Sequence, residues 1–441
     1  MAYVARSVAV DVEPQSAIID APVPAAPPPA EAMSPPGAAA TEDAGPSPAA
    51  PLKVADLDAQ RFKLHPSVAQ WQDFASPMNS MFSNDGTGGS LTASAQQLVQ
   101  QVLTTGLLGG PQSAAYWTYH TARMSFFISQ DLENIQSGAY PMPWDMAPAH
   151  RQNNPLFMLR RTAQFMGESV ATLKRRVRET PDKLWLSSKL YPRYYTNTYH
   201  YQTDGWFSDW SASVYEHSTE TLFFGRQDAM QRTGLLPIAD FVREAEAQGR
   251  PASSLRLLEV AAGTGRFHTF IKDAYPDLPS VVSDLSPFYL ARARSNLRYW
   301  RSLRQPSRQL GGVDDTGTEF LQTAAEAIAA PDESFDIVMC VYLFHELPEP
   351  VRRAAVSEFF RVLRPGGLAV LTDSVQLGDR RAWDNTIGLF GNFNEPYYRN
   401  YVGCDLGAMF QAAGFECDTK YVCSATKTLS FRKPAGAEPP Q

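Results

Sequence analysis

The sequence has little that would suit it to extracellular life, a membrane span or a nucleic-acid surface. Its 441 residues hold four cysteines (Cys340, Cys404, Cys417, Cys423), too few for a disulfide framework in a chain this long. No two of them form a C-x-x-C pair, so no metal site is expected, and the expected compartment is a reducing one. No stretch approaches the ~20 apolar residues of a membrane span. The longest apolar run, Ile337 to Phe344, has the length of a buried strand. Charged residues are scarce at 19%, and Lys+Arg 39 against Asp+Glu 46 leaves a net charge of -7, which argues against nucleic acid as a partner. No internal repeat of solenoid or propeller period is present. The first ten residues carry one arginine and no acid, but Asp11, Glu13 and Asp20 follow, which is unlike an acid-poor transit peptide. The cytoplasm is the expected location, with plastid or mitochondrial import the alternative.

What is abundant is proline, 34 in all, and its distribution divides the chain. Residues 21–50 contain 9 prolines and 11 alanines and no lysine or arginine, a composition that cannot bury enough apolar surface to offset ordering entropy. Residues 1–55 are therefore expected to form a disordered tail, and 434–441 a second short one. Between them, 56–245 reads as a mainly helical extension. Leu98, Val99, Val102, Leu103, Leu107 and Leu108 recur at helical spacing, and 114–135 and 156–180 follow the same pattern. Twelve aromatics between 184 and 224, from Trp185 to Phe224, suit core packing and can also wall an apolar ligand pocket.

From 255 onward short apolar strands alternate with helical segments, the pattern of βαβ units and a parallel sheet. The expected strands are 255–260, 280–284, 319–322, 335–341 and 368–373, with helices at 265–274, 286–303, 350–363 and 404–413. Two further strands, 415–424 and 426–433, have little between them and should pair as an antiparallel hairpin.

The most informative string is Leu257-Leu258-Glu259-Val260-Ala261-Ala262-Gly263-Thr264-Gly265-Arg266-Phe267, an apolar strand running through small residues into a helix. Small residues let a ligand approach the backbone, and a helix N-terminus offers free N–H groups. A dinucleotide site would want a third glycine where His268 stands. Asp284 ends the next strand 19 residues after Gly265, where an acid can accept from both hydroxyls of a ribose; the alternative is a cap for the helix that Ser286 and Pro287 begin.

These strings resemble class I S-adenosylmethionine-dependent methyltransferases, and within them the type 11 group that includes the quinone-biosynthesis C-methyltransferases. Glu259 fills the acid position of the first motif, Ala261 replaces its first glycine, and Gly263 and Gly265 fill the others. Ala325-Glu326, Phe335-Asp336, Arg361 to Leu368 (with Pro365-Gly366-Gly367), and His345-Glu346-Leu347-Pro348 match later motifs in order. The resemblance covers roughly the last 190 residues; the N-terminal half is not assigned. It implies a Rossmann-like, mostly parallel seven-stranded sheet with a terminal antiparallel hairpin, spanning 246–433, and S-adenosylmethionine as cofactor. It assigns Glu259, Ala261, Gly263, Gly265, Asp284, Leu285 and Val341 to that cofactor. Family members commonly have an adenine-binding acid where Ala324 stands, so Glu326 or the backbone at Ala325 takes that role.

Chemistry is expected at the carboxyl ends of the strands. His345 and Glu346 are the candidate bases there; each has a plainer reading, a loop-ordering histidine and a helix N-terminal charge. Asp373 ends the fifth strand of the pattern, as a supporting acid or a cap. The long connector Val375–Gly403 and the string Tyr199–Trp206, which contains His200 as a further catalytic candidate, are expected to contact the acceptor. His217 and Glu220 share a helical face but would need more ligands to hold a metal. The function expected is methylation of a small, partly apolar or aromatic molecule. The alternatives are a non-catalytic scaffold of the same fold and a nicotinamide-dependent oxidoreductase.

Overall fold

The computed structural model describes residues 53–72, 129–178, 191–196, 204–223, 226–304, 317–393 and 395–436. The tail at 1–50, the helical pattern at 98–108 and His200 with residues 199–203 lie outside them.

Among the described residues eight strands form one sheet in the order β1-β7-β8-β6-β5-β2-β3-β4. These are β1 (Lys63–Leu64), β2 (Leu257–Val260), β3 (Ser280–Asp284), β4 (Thr318–Gln322), β5 (Phe335–Val341), β6 (Leu363–Ser374), β7 (Glu416–Cys423) and β8 (Thr426–Arg432). β2 to β6 pair in parallel, and β8 runs antiparallel to both β6 and β7. The seven strands expected from the alternation are all present. The eighth, β1, comes from the segment expected to be helical and lies parallel to β7 at the sheet edge. A two-residue strand carries no alternation to recognise. The helix α1 (Val54–Arg61) starts just inside the expected tail, with Asp56 in its first turn and Arg61 in its last, each favourable to the helix dipole.

Because side chains alternate along a strand, the buried parallel strands feed two cores. Leu257, Ile337, Met339, Leu368 and Val370 face one layer with Leu235, Ile238 and Phe241 of Leu235–Ala247 and Phe270 and Ile271 of Arg266–Ala274. Leu258, Val260, Val338, Cys340, Ala369 and Leu371 face the other, with Val356 and Phe359 of Glu349–Val362 and Phe410 of Leu406–Ala412. Residues before 235 join the same body. The Trp144 indole donates to Thr269 Oγ1 at 2.9 Å, and Trp206 packs edge-on to Tyr289 of Pro287–Arg304.

One ion cluster ties the start of the described chain to its end. Lys420 and Lys427, on the facing strands β7 and β8, share Asp58 of α1 and Asp379 of the segment after β6; all four side chains are at most 1% exposed. Nζ–Oδ distances run from 2.5 to 3.4 Å. Burial alone would raise the Asp379 carboxyl, but Lys420 and Lys427 outweigh it and hold it below the ordinary value. Two against two is neutral, and removing one acid leaves an uncompensated buried cation. Asp58→Asn is expected to destabilise the fold by about 3–5 kcal/mol in urea unfolding. Stability in the wild type should fall as pH drops from the ordinary carboxylate value through the lowered Asp379 value, and be fully present above both.

Candidate active site

The strand order reverses between β2 and β5: the chain runs outward through β3 and β4, then returns to the other side of β2. Open α/β sheets bind ligands in the crevice that such a reversal leaves at the carboxyl ends. The turn after β2 is built for close approach. Ala261, Gly263 and Gly265 have φ of 52°, 56° and 67°, so alternate residues are left-handed before the helix opens at Arg266. Gly265 is required by contact as well as conformation, since a Cβ there would lie 2.8 Å from Ala293 Cβ and 3.1 Å from its Cα. Gly263 has open space, with Tyr289 at 3.9 Å the nearest group to an added Cβ.

Asp284 holds this turn. Its Oδ2 accepts the Gly263 N–H at 2.8 Å, and its Oδ1 accepts the Ser286 N–H at 2.8 Å. Burial lifts its carboxyl to about 6, against the pull of those backbone donors. The cap of the helix that follows is Ser286, whose Oγ accepts from Tyr289 N–H at 3.2 Å and donates to Trp206 O at 2.6 Å.

A cavity lies over these strand ends. Glu259, Ala261, Gly263, Asp284, Leu285, Ala325 and Val341, all predicted from the sequence, stand on its wall. Others predicted with them stand behind it. Gly265 packs on Ala293, and Glu326 accepts the Tyr194 hydroxyl at 2.7 and 2.8 Å. Thr323, Ala324 and Ala325 supply the wall where Glu326 was one of the two expectations. Glu259 leans on His268 (Oε2···Nδ1 2.8 Å), whose Nε2 meets Ser280 Oγ at 2.9 Å. Burial, then the Asp284 charge, pushes Glu259 well above its usual range, and burial pushes His268 well below.

The extension closes the cavity with groups of which spacing had singled out Glu220 alone, and that beside His217. Glu216 and Glu220 come from the helix Asp209–Leu222, and Gln227, Asp228 and Gln231 from Gln227–Arg232. Arg266 is held between Asp228 and Asp145; burial alone would raise Asp228, but the Arg266 charge outweighs it and holds Asp228 well below the carboxylate range. Tyr194, Tyr195, Trp206, Tyr215 and Tyr289 give the apolar wall, so the aromatic run serves packing and pocket together. Gln227 Oε1 is buried on this wall with no hydrogen-bond partner, an acceptor that a ligand's donor would satisfy.

At the β5 end, Glu346 is on the wall and His345 is behind it. His345 Nδ1 donates to Asp373 Oδ1 at 2.6 Å, and Asp373 Oδ2 accepts the Phe344 N–H at 2.8 Å. Burial lowers the imidazole, but Asp373, Glu395 and Glu346 together outweigh it and lift it to about 9. Charged at neutral pH, His345 does not accept a proton there, and Glu346 is the wall group with that capacity. Of the connector, Tyr398 and Tyr401 lie edge-on to the His345 ring. His217 instead meets Thr162 Oγ1 at 3.2 Å.

A family model described as a methyltransferase domain matches residues 257–367, the span that builds the turn, Asp284 and the β5 end. Over those residues the chain matches a methyltransferase domain of the class I S-adenosylmethionine-dependent kind. It is 30% identical over 145 residues to a malonyl-[acyl-carrier protein] O-methyltransferase of Paenibacillus sp. (strain JDR-2), covering 32% of this chain and 47% of that protein. It is 32% identical over 131 residues to a demethylmenaquinone methyltransferase of Deinococcus radiodurans, covering 30% and 48%. The chain thus spans about half the length of these curated relatives. The solved YcgJ protein of Bacillus subtilis aligns at 18% identity and TM-score 0.33, over 44% of this chain and 97% of that one. The cavity wall fits S-adenosylmethionine chemically: a small-residue turn, a buried carboxylate beside it, and the unsatisfied Gln227 acceptor from the extension.

A left-handed alanine costs about 1 kcal/mol or more, partly offset by the greater entropy a glycine loses on folding. Ala261→Gly is therefore expected to raise stability by about 0.5 kcal/mol in denaturant unfolding, where a loss would contradict the left-handed turn. The carboxylate form of Asp284 is the better acceptor, so affinity for S-adenosylhomocysteine should fall as pH drops through about 6. Asp284→Asn should remove that step.

Proposed function

We propose that the protein transfers a methyl group from S-adenosylmethionine to a small, partly apolar or aromatic molecule. The observation that carries this reading is the single cavity wall that joins Gly263 and Asp284 to Val341 and Glu346 beneath Tyr194, Tyr195, Trp206 and Tyr215. A bound S-adenosylmethionine supplies a methyl group already activated on a sulfonium. The residues around it then need mainly to position and to exclude water. Asp284 holds the ribose hydroxyls, Leu285 and Thr323–Ala325 border the base, and Gly263 with Gln227 faces the amino-acid end. The aromatic rings flank the acceptor and attract positive charge through their faces. Where the acceptor must lose a proton, Glu346 is placed to take it, with His345 and Asp373 fixing the loop that carries it. The relatives named for a quinone and for an acyl carrier differ in acceptor, so the large extension of this chain is the part that selects its own. No described helix is long and apolar enough to cross a membrane.

Calorimetry with S-adenosylhomocysteine and with NAD tests the reading: the first should bind and the second should not, and the opposite result would overturn it. Asp284→Ala is expected to weaken S-adenosylhomocysteine at least tenfold more than His345→Ala does. Equal losses would contradict the roles given to them. Transfer of labelled methyl into a metabolite mixture separates an enzyme from a scaffold that binds the cofactor without turnover.

A further inference from the structure

We propose that the helix Pro155–Arg178 is a docking surface for an anionic lipid bilayer, lying along the membrane rather than crossing it. The helix has 24 residues, and its long faces differ. One face packs inward: Arg161 Nη1 donates to Ser213 O at 2.7 Å, the Phe165 ring meets His217 edge-on, and Glu168 accepts the Trp210 indole N–H. The opposite face carries Leu156, Leu159, Ala163 and Val170, all exposed, at the helical spacing that sets them in one stripe. Leu156, 76% exposed, and Leu159, 67%, are the most exposed large hydrophobic side chains among the described residues. A single exposed leucine is ordinary, but an apolar stripe along several turns marks an interaction face.

Charge complementarity decides the occupant. Arg160 and Lys174 are exposed and stand one turn beyond Leu156 and Val170, on the same side of the helix. By sequence the helix holds six basic residues and one acid, in a chain whose net charge is -7. That acid, Glu168, is buried on the packed face. More positive charge gathers behind the first half of the helix, where Arg292, Arg151 and Arg160 all act on Arg161. A bilayer with anionic headgroups matches such a face: the leucines enter between the headgroups while Arg160 and Lys174 stay level with the phosphates. A second copy of the chain would set basic helix against basic helix, and like charges oppose that pairing. The rest of the chain carries the negative balance and is repelled by anionic lipid, so this helix is the side presented.

The packed face rests on the helix Asp209–Leu222, whose Tyr215, Glu216 and Thr219 line the cavity. One layer of helix then separates bilayer from cavity, an arrangement suited to an acceptor that partitions into lipid. The docking surface stands apart from the methyl-transfer reading, while this use of it rests on that reading.

The test is flotation of the full chain with vesicles of phosphatidylcholine alone and with vesicles holding about one-third phosphatidylglycerol. Binding to the anionic vesicles is expected to be about tenfold or more the stronger, and to weaken as salt rises. Leu156→Asp combined with Leu159→Asp should weaken it by about tenfold or more, and Arg160→Glu combined with Lys174→Glu should weaken it as well. Affinity for S-adenosylhomocysteine, measured on the same variants, reports whether each is folded. Its absence in the wild type would sink the methyltransferase reading and leave the docking surface standing. No vesicle binding, equal affinity for the two compositions, or wild-type binding by the leucine variant overturns the surface. Self-association, or binding of an acidic acyl carrier protein, that the leucine variant loses while no vesicle is bound assigns the face to a protein and overturns it too.

Discussion

The hydrogen bond from the Gly263 N–H to Asp284 Oδ2 is the constraint on which the site depends. It joins the turn after one strand to the end of the next. With the Ala262 N–H bond to Ser283 O at 2.8 Å, it holds three left-handed residues in five in that conformation. The turn stops β2, aims Arg266–Ala274 back across the sheet, and opens the crevice where the strand order reverses. Burial that makes Asp284 costly to ionise is the same burial that strengthens whatever hydrogen bond it makes to a ligand.

Two parts of the chain share the cavity. The methyltransferase domain contributes backbone, small residues and the carboxylates Glu259, Asp284 and Glu346. The extension contributes the aromatic wall and a set of acids steadied by Arg266. The extension is not an appendage. Its Trp206 carbonyl accepts from the capping Ser286, and its first strand and helix are bonded to the terminal hairpin through buried lysines. Segments far apart in the chain are therefore folded into one wall.

Much of the fold was legible because each parallel strand is a short apolar run with a helix after it, and local residues declare such units. The wall positions of Gly263, Asp284, Leu285, Ala325 and Val341 were expected from the family resemblance, and each sits within three residues of a strand end. Orientation was not legible. His345 and Glu346 are adjacent, yet one faces Asp373 and the other the cavity, and the short helical turn Phe344–Glu346 that decides this has no signature in spacing. Glu326 was diverted by Tyr194, from a segment far away in the chain. Glu216 and Asp228 reach the wall through tertiary packing alone, and no periodicity in their own segments distinguishes them from solvated acids; Glu220 was noted only for the helical face it shares with His217. β1 was missed because two residues carry no pattern.

Hydrogen exchange of the full chain with and without S-adenosylhomocysteine tests the central claim, that the turn and the neighbouring strand ends hold the cofactor. Amides in Ala261–Arg266, Asp284–Tyr289 and Thr323–Ala325 should slow together, with little change in the terminal hairpin. Protection confined to other segments, or none on saturation, would contradict it.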